Sequence, residues 1–92
     1  MITVNFFTTL RIFLNTNQVT IQATEMSVYA LLQKSEELVS KRFLHKLLNQ
    51  DGQILSGVMI LVNGRNVLHL EGVNTIVKGG DVVAIFPPGG GG

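Results

Sequence analysis

The chain has 92 residues, of which 46% are apolar and 14% are charged, with a formal net charge of +1 and no cysteine. Phosphate binding needs clustered Lys and Arg, so this charge argues against nucleic acid as the main partner. A chain without cysteine has no disulfide, no thiolate metal site and no thiol nucleophile. Its longest apolar runs have five residues, far too few to span a bilayer, so we expect a cytoplasmic protein with no membrane partner.

The N-terminal part of the chain predicts two β-strands. Residues Ile2 to Phe7 alternate between two faces, which places Phe6 toward the core and Phe7 on the opposite face. The Asn-Thr-Asn sequence at 15–17 is a turn signal, and residues 18–23 alternate again. We therefore expect a first hairpin whose connection, through residues 10–14, is longer than a tight turn needs.

A helix is predicted from residue 28 onward, where the apolar spacing changes. We expect Ser27 to cap this helix, because its hydroxyl can accept a hydrogen bond from a free N–H group of the first turn. A second helical stretch over residues 43–48 follows a break near Ser40, and Gly52 ends it by permitting positive φ. The apolar positions at near-helical spacing are Val28, Leu31, Leu32, Leu38 and Val39.

Three strands are predicted in the C-terminal half. Residues Val58 to Val62 form a short apolar run typical of a buried strand. Asn63-Gly64 favours a type I′ turn, because both residues tolerate positive φ, and residues 65–69 would return as a short edge strand. After a tight turn at 78–81, the strand Val82 to Phe86 is apolar at every position and should lie in the sheet interior.

The predicted fold class is α+β. The order strand, strand, helix, strand, short strand, strand gives a mixed sheet of four to five strands packed on a helix. Pro87 and Pro88 cannot continue a hydrogen-bonded ladder. We therefore expect one domain over residues 1–88 and a flexible glycine tail over residues 89–92. His45 and His69 are isolated in the sequence, so no metal site is expected.

Two interpretations of the tail stay open from the residues alone. Glycine runs serve as flexible linkers, so the tail could be an inert linker. In the other interpretation, glycines without Cβ let the backbone enter a narrow channel of a partner enzyme. The Gly92 carboxylate would then be the reacting group, because adenylation by ATP would turn it into an acyl donor for a sulfur or amine nucleophile.

Four stretches of the chain resemble one known family. Residues 4–11 (Val-Asn-Phe-Phe-Thr-Thr-Leu-Arg), the helix start at 26–32, the Val-Asn-Gly-Arg turn at 62–65 and the ending at 70–88 resemble the small subunit of molybdopterin synthase. That subunit belongs to the sulfur-carrier branch of the ubiquitin-like β-grasp superfamily. The Gly-Asp-Val-Val-Ala-Ile-Phe-Pro-Pro run followed by glycines is the most specific of these matches. Family tails usually carry two other residues at the positions of Gly89 and Gly90.

The resemblance implies that the chain is a β-grasp sulfur carrier and not an enzyme by itself. An E1-like adenylyltransferase would use ATP to activate Gly92, and a sulfur donor protein would convert it to a thiocarboxylate. The tail would then enter the large, catalytic subunit of molybdopterin synthase, within a heterotetramer. There the sulfur would pass to a pterin precursor of the molybdenum or tungsten cofactor. No cofactor would be bound by the chain itself.

The resemblance also implies roles for individual residues. Gly92 is the adenylation and thiocarboxylate site, and Gly89, Gly90 and Gly91 thread the channel. Phe7 and Phe86 would form a hot spot if both rings are exposed, although packing is the commoner role of a strand aromatic. The expected partner-binding residues are Phe7, Arg11, Arg65, Val67, Phe86, Pro87 and Pro88.

Three rival functions stay open. The first is a sulfur carrier for another product, such as thiamine, cysteine or thiolated tRNA. The second is a ubiquitin-like modifier joined to lysines of other proteins, and the third is an interaction domain with an inert tail. Thiamine carriers typically lack much of the region that residues 34–53 form here, so this region favours the molybdopterin type.

Overall fold

The computed structural model describes residues 1–88, and residues 89–92 lie outside the described part. In chain order the strands are β1 (Ile2–Phe6), β2 (Gln18–Ile21), β3 (Glu25–Ser27), β4 (Met59–Val62), β5 (Arg65–Asn66), β6 (Ile76–Lys78) and β7 (Val82–Phe86). The α-helices are α1 (Thr8–Leu14) and α2 (Val28–Val39). Single 3₁₀ turns lie at Leu44–Lys46, Val67–His69 and Gly72–Asn74.

Five strands form the main sheet, in the order β2-β1-β7-β4-β5. The central pair β1 and β7 is parallel, and the other neighbours are antiparallel. Strands β3 and β6 form a separate two-stranded antiparallel sheet. This topology confirms the predicted α+β class with a mixed sheet. It also confirms the interior position of the last strand and the edge position of the short strand after Asn63-Gly64. That strand ends at Asn66 and not at residue 69, because the Asn66 side chain accepts a hydrogen bond from the N–H of Leu68 and starts a 3₁₀ turn.

The core lies between one face of the main sheet, which we call the inner face, and α2. Ser27 caps α2 as predicted, because its hydroxyl accepts a hydrogen bond from the backbone N–H of Ala30 at 3.1 Å. The helix stops at Ser40, whose φ of 56° is left-handed, where the break was predicted. The core side chains of the central strands and α2 are Ile2, Val4, Phe6, Val83, Ile85, Val28, Leu31 and Leu32.

Neither α1 nor the small sheet was predicted. Helix α1 fills the connection between β1 and β2, and its Leu10 and Leu14 are both buried. Residues four apart lie on the same face of a helix, so this pair was the available signal, although it spans only one turn. Strands β3 and β6 have three residues each, which is too short for an alternating pattern to be recognised.

The predicted helix over residues 43–48 is wrong except for one 3₁₀ turn. The Leu47 carbonyl accepts a hydrogen bond from the N–H of Leu55 at 2.8 Å, and Leu48 forms a β-bridge with Ile54. This pairing with the following loop ends the helical turn. Phe43 lies ahead of the turn with 0% exposure. Its ring meets that of Phe6 edge-on, with centroids 5.6 Å apart.

Replacement of this core aromatic should strongly destabilise the domain. We expect Phe43→Ala to lower the free energy of unfolding by about 3–5 kcal/mol, because it removes buried area and leaves a cavity. Phe43→Leu should cost clearly less, since it keeps most of the apolar volume. Urea unfolding followed by circular dichroism measures both. Leu68→Ala is the matched control, because this side chain is largely exposed. If Leu68→Ala lowered the free energy of unfolding as much as Phe43→Ala does, the prediction would be contradicted.

A polar clamp joins the β4–β5 turn to the start of β7. Asn63 and Gly64 have φ of 50° and 83°, so the predicted type I′ turn is confirmed. The Asn63 side chain donates to the Asp81 carboxylate at 2.9 Å and accepts from the N–H of Val82 at 2.9 Å. The other Asp81 oxygen accepts from the N–H of Lys78 at 2.8 Å. These hydrogen bonds therefore fix the start of β7 against the β4–β5 turn.

The clamp should make stability depend on acid pH. The hydrogen bond from Asn63, and then that from the Lys78 N–H, lower the pKa of Asp81 below its ordinary value. A lowered pKa in the folded state contributes stability above the unfolded pKa, and this contribution is lost as pH falls through the folded pKa. Below about pH 4 we expect the stability of the natural chain to fall more steeply than that of Asp81→Asn. Urea unfolding over a pH series measures this difference.

Asn63→Gly provides a second arm of the same test. Glycine keeps the positive φ of the turn but removes both side-chain hydrogen bonds, so the pKa of Asp81 should rise toward its ordinary value. A carboxyl NMR titration of Asp81 measures that rise directly. If the pKa of Asp81 were the same in Asn63→Gly as in the natural chain, the hydrogen bond from Asn63 would not be what lowers it.

Candidate docking face and tail exit

On the face of the main sheet that points away from α2, the part formed by β4, β7 and the residue after β1 is apolar and accessible, whereas β1 and β2 place Thr3, Asn5 and Thr20 on this face. We call the apolar part the apolar outer face; its members are Phe7, Met59, Leu61, Val82, Ala84 and Phe86. Met59 and Val82 are 42% and 43% exposed, and the other four are partly exposed. The prediction that the runs 58–62 and 82–86 are buried throughout is therefore wrong for alternate residues. Successive side chains of a strand point to opposite faces, and α2 covers only one face.

The strand register makes this face continuous. Met59 pairs with Phe86 and Leu61 pairs with Ala84 across β4 and β7. Directly opposite residues of antiparallel strands have adjacent side chains on the same face. None of the six members is charged. The face can therefore bind a partner by burial of apolar area, with no charged member to desolvate.

An aromatic stack lies at one end of this face. The rings of Phe7 and Phe86 are stacked, with centroids 4.5 Å apart and planes at 10°. The N–H of Phe7 donates to the Ile85 carbonyl at 3.1 Å, which holds the end of β1 against β7. Phe6 is buried and Phe7 is partly exposed, as the alternation predicted. The structure thus brings together the two aromatic residues expected to contact a partner.

The chain leaves the sheet directly beside this stack. Phe86 is the last residue of β7, and Pro87 and Pro88 follow it. Pro87 is buried and Pro88 is exposed, so only Pro88 of this pair offers substantial area to a partner. Proline has no N–H to continue the ladder, which ends the strand here as predicted. The expected tail residues, Gly89 to Gly91 and the reactive Gly92, lie outside the described residues.

The other predicted partner residues have different environments. Arg11 is exposed on α1, which begins directly after Phe7. Arg65 is exposed on the edge strand β5, where Asn66, and not Arg65, lies opposite Leu61 of the apolar outer face. Val67 is buried with 0% exposure. The prediction that Val67 contributes to a partner surface is therefore corrected, because its side chain packs in the core and offers no area.

Sequence reasoning missed four members of the face, namely Met59, Leu61, Val82 and Ala84. A signal for them was present, since both runs are apolar at every position while only one main helix was predicted. A sheet with two apolar faces and one covering layer leaves the second face exposed. What the pattern did not show was which alternate residues the helix would cover.

The helices of the described part of the chain, residues 1–88, are all too short or too polar to span a bilayer.

Nearly the whole chain matches one protein family. The model of the ThiS family matches residues 4–92. The chain belongs to the ThiS family. This places it among sulfur carriers and ubiquitin-like modifiers, in agreement with the resemblance found in the sequence.

Individual relatives of this ThiS-family chain support that assignment. A protein of Archaeoglobus fulgidus described as a candidate sulfur carrier is 37% identical over 79 residues, which cover 86% of this chain and 89% of that protein. Small archaeal modifier protein 1 of Methanosarcina acetivorans superposes with a TM-score of 0.74 at 26% identity, over 99% of this chain and 95% of that one.

A third relative is itself described as a protein of molybdopterin synthesis. A Pyrococcus furiosus structure described as a candidate subunit 1 of molybdopterin converting factor superposes with a TM-score of 0.62 at 26% identity. The match covers 96% of this chain and 97% of that one. These superpositions confirm the predicted β-grasp fold over nearly the whole chain.

Proposed function

We propose that this ThiS-family chain carries sulfur as a thiocarboxylate on Gly92 and delivers it to a pterin precursor in molybdopterin biosynthesis. The observation that supports this most is the position of the chain exit. The central strand β7 ends at Phe86, at one end of the apolar outer face, and Pro87-Pro88 then take the chain out of the sheet. A partner bound on that face would hold its active site within reach of the residues that follow.

The proposed chemistry takes place in partner enzymes. A carboxylate oxygen of Gly92 attacks the α-phosphorus of ATP, which releases pyrophosphate and leaves an acyl adenylate. A sulfur nucleophile from a donor protein then attacks the acyl carbon and displaces AMP. Persulfide attack is followed by reductive cleavage of the S–S bond by a thiol, which frees the thiocarboxylate. This chain contributes the acyl group and the surface by which each partner positions it.

The pathway is the finer part of the proposal. It is supported by the resemblance of residues 70–88 to the small subunit of molybdopterin synthase and by the similarity to the Pyrococcus furiosus protein. The implied partners are an E1-like adenylyltransferase, a sulfur donor protein and the large subunit of molybdopterin synthase in a heterotetramer. An E1-like enzyme and a sulfur donor would also serve a carrier for thiamine, cysteine or tRNA thiolation. Binding to the large subunit of molybdopterin synthase is therefore what identifies the pathway.

A second candidate function is protein modification. The similarity to small archaeal modifier protein 1 supports it. The same acyl adenylate would then be attacked, directly or after transfer to an enzyme thiol, by a lysine amine to form an isopeptide bond. The two functions share the activation step and differ in the final nucleophile.

Mass spectrometry separates these functions. The intact chain is incubated with its cognate E1-like enzyme, ATP and a sulfur donor, and we expect one oxygen to be replaced by sulfur at the C-terminus. The product is then mixed with the large subunit and the cyclic pterin precursor, and dithiolene formation is measured. No sulfur incorporation would refute the carrier function. Sulfur incorporation without dithiolene formation would refute the molybdopterin pathway and leave the carrier function intact. Conjugates of the chain on lysines of other proteins in cell extract would favour protein modification.

A further inference from the structure

We propose that Met59 is an oxidation site through which a hydroperoxide weakens binding of the E1-like adenylyltransferase on the apolar outer face. This inference rests on the proposed function, because it needs a partner that binds this face. Met59 begins β4, and its side chain is 42% exposed. Its register partner across the sheet is Phe86, so the side chains of Met59 and Phe86 are neighbours on the apolar outer face.

The other two methionines lie elsewhere. Met1 precedes β1, and its carbonyl accepts a hydrogen bond from Gly80 in the turn before β7, so it lies at the opposite end of that strand from Phe86. Met26 lies on β3 in the small sheet, where it is partly buried against the core. Met59 is therefore the methionine whose oxidation changes the apolar outer face.

The reaction needs a hydroperoxide as the only co-reactant. The thioether sulfur attacks one peroxide oxygen, an S–O bond forms and the O–O bond breaks. Sulfur loses two electrons, and the peroxide is reduced to water or an alcohol. The flexible apolar side chain becomes a polar sulfoxide, which methionine sulfoxide reductases can reverse. A sulfoxide oxygen buried under a partner without a hydrogen-bond donor is costly, which lowers affinity.

The test compares oxidised and unoxidised protein in one binding assay. The full chain is treated with hydrogen peroxide, and peptide mass spectrometry measures the added oxygen at each methionine. Adenylation by the cognate E1-like enzyme is then measured. We expect Met59 to be oxidised before Met26, KM to rise about tenfold with kcat unchanged, and sulfoxide reductase to restore the original KM.

Two variants show whether Met59 is responsible. Met59→Leu should keep its own starting KM after peroxide although Met1 is still present, whereas Met26→Leu should lose affinity as the unsubstituted chain does. An unchanged KM with Met59 oxidised, or a KM rise that persists in Met59→Leu, would overturn the inference and leave the proposed function intact. Failure of the untreated chain to be adenylated would refute the proposed function, and this inference with it.

Discussion

A chain shortened by one tail glycine is expected to lose at least about a hundredfold in kcat/KM for adenylation, because a displacement of even 1 Å can cost that much. One residue of extended chain spans about 3.3–3.6 Å, so the carboxylate would fall short of the α-phosphate of ATP. Residues 89–92 are all glycine, and deletion of any one of them gives the same protein. The deletion therefore tests the length of the tail. Pyrophosphate release measures the rate.

Substitutions that keep the length test the second property of the tail, which is the absence of side chains. Gly92→Ala places a Cβ next to the reacting carbon and should also reduce kcat/KM strongly, because a channel that fits a glycine backbone has no room for a side chain. Gly89→Ala is the matched control, since related tails carry other residues at that position, and it should retain activity. Normal adenylation of the shortened chain would contradict the prediction that the length of the tail positions its terminal carboxylate.

Loss of the aromatic stack should have the largest effect on partner binding. We expect Phe86→Ala to weaken binding to the E1-like enzyme by about 30-fold or more, which corresponds to a hot-spot loss of roughly 2 kcal/mol. Phe7→Ala should have an effect of similar size. Because the two rings are 4.5 Å apart, the double variant should lose less than the sum of the single losses. Titration calorimetry on the four proteins measures the coupling.

An aromatic outside the apolar outer face provides the control. Tyr29 is 37% exposed on α2, the helix that packs on the inner face, and Tyr29→Ala should leave the Kd unchanged. The stacked pair itself contributes about 0.5–1.5 kcal/mol to the stability of the fold. Unfolding curves for each variant therefore show whether a loss of binding comes from a loss of stability. Equal losses in Tyr29→Ala and Phe86→Ala would show that the partner does not use this face.

Local chemistry was sufficient to predict several elements of the fold. The Ser27 hydroxyl caps α2 through a contact three residues away, and Asn63-Gly64 closes a turn by their own tolerance of positive φ. Each of these signals acts within a few residues. The predicted helix over 43–48 failed for the opposite reason, because pairing with residues 54 and 55 of the loop decided where it ended.

The sequence by itself determined the class of fold, the family and the expectation of a reactive C-terminal glycine, because alternation, turn residues and the Phe-Pro-Pro ending are all local. Only the tertiary structure decided which surface a partner can use. Strands β4 and β7 are apolar on both faces, so their pattern is the same whichever face α2 covers. The parallel pairing of β1 with β7 brings Phe7 against Phe86 beside the chain exit, and Val67 is buried. Such contacts join distant parts of the chain, and no short-range pattern encodes them.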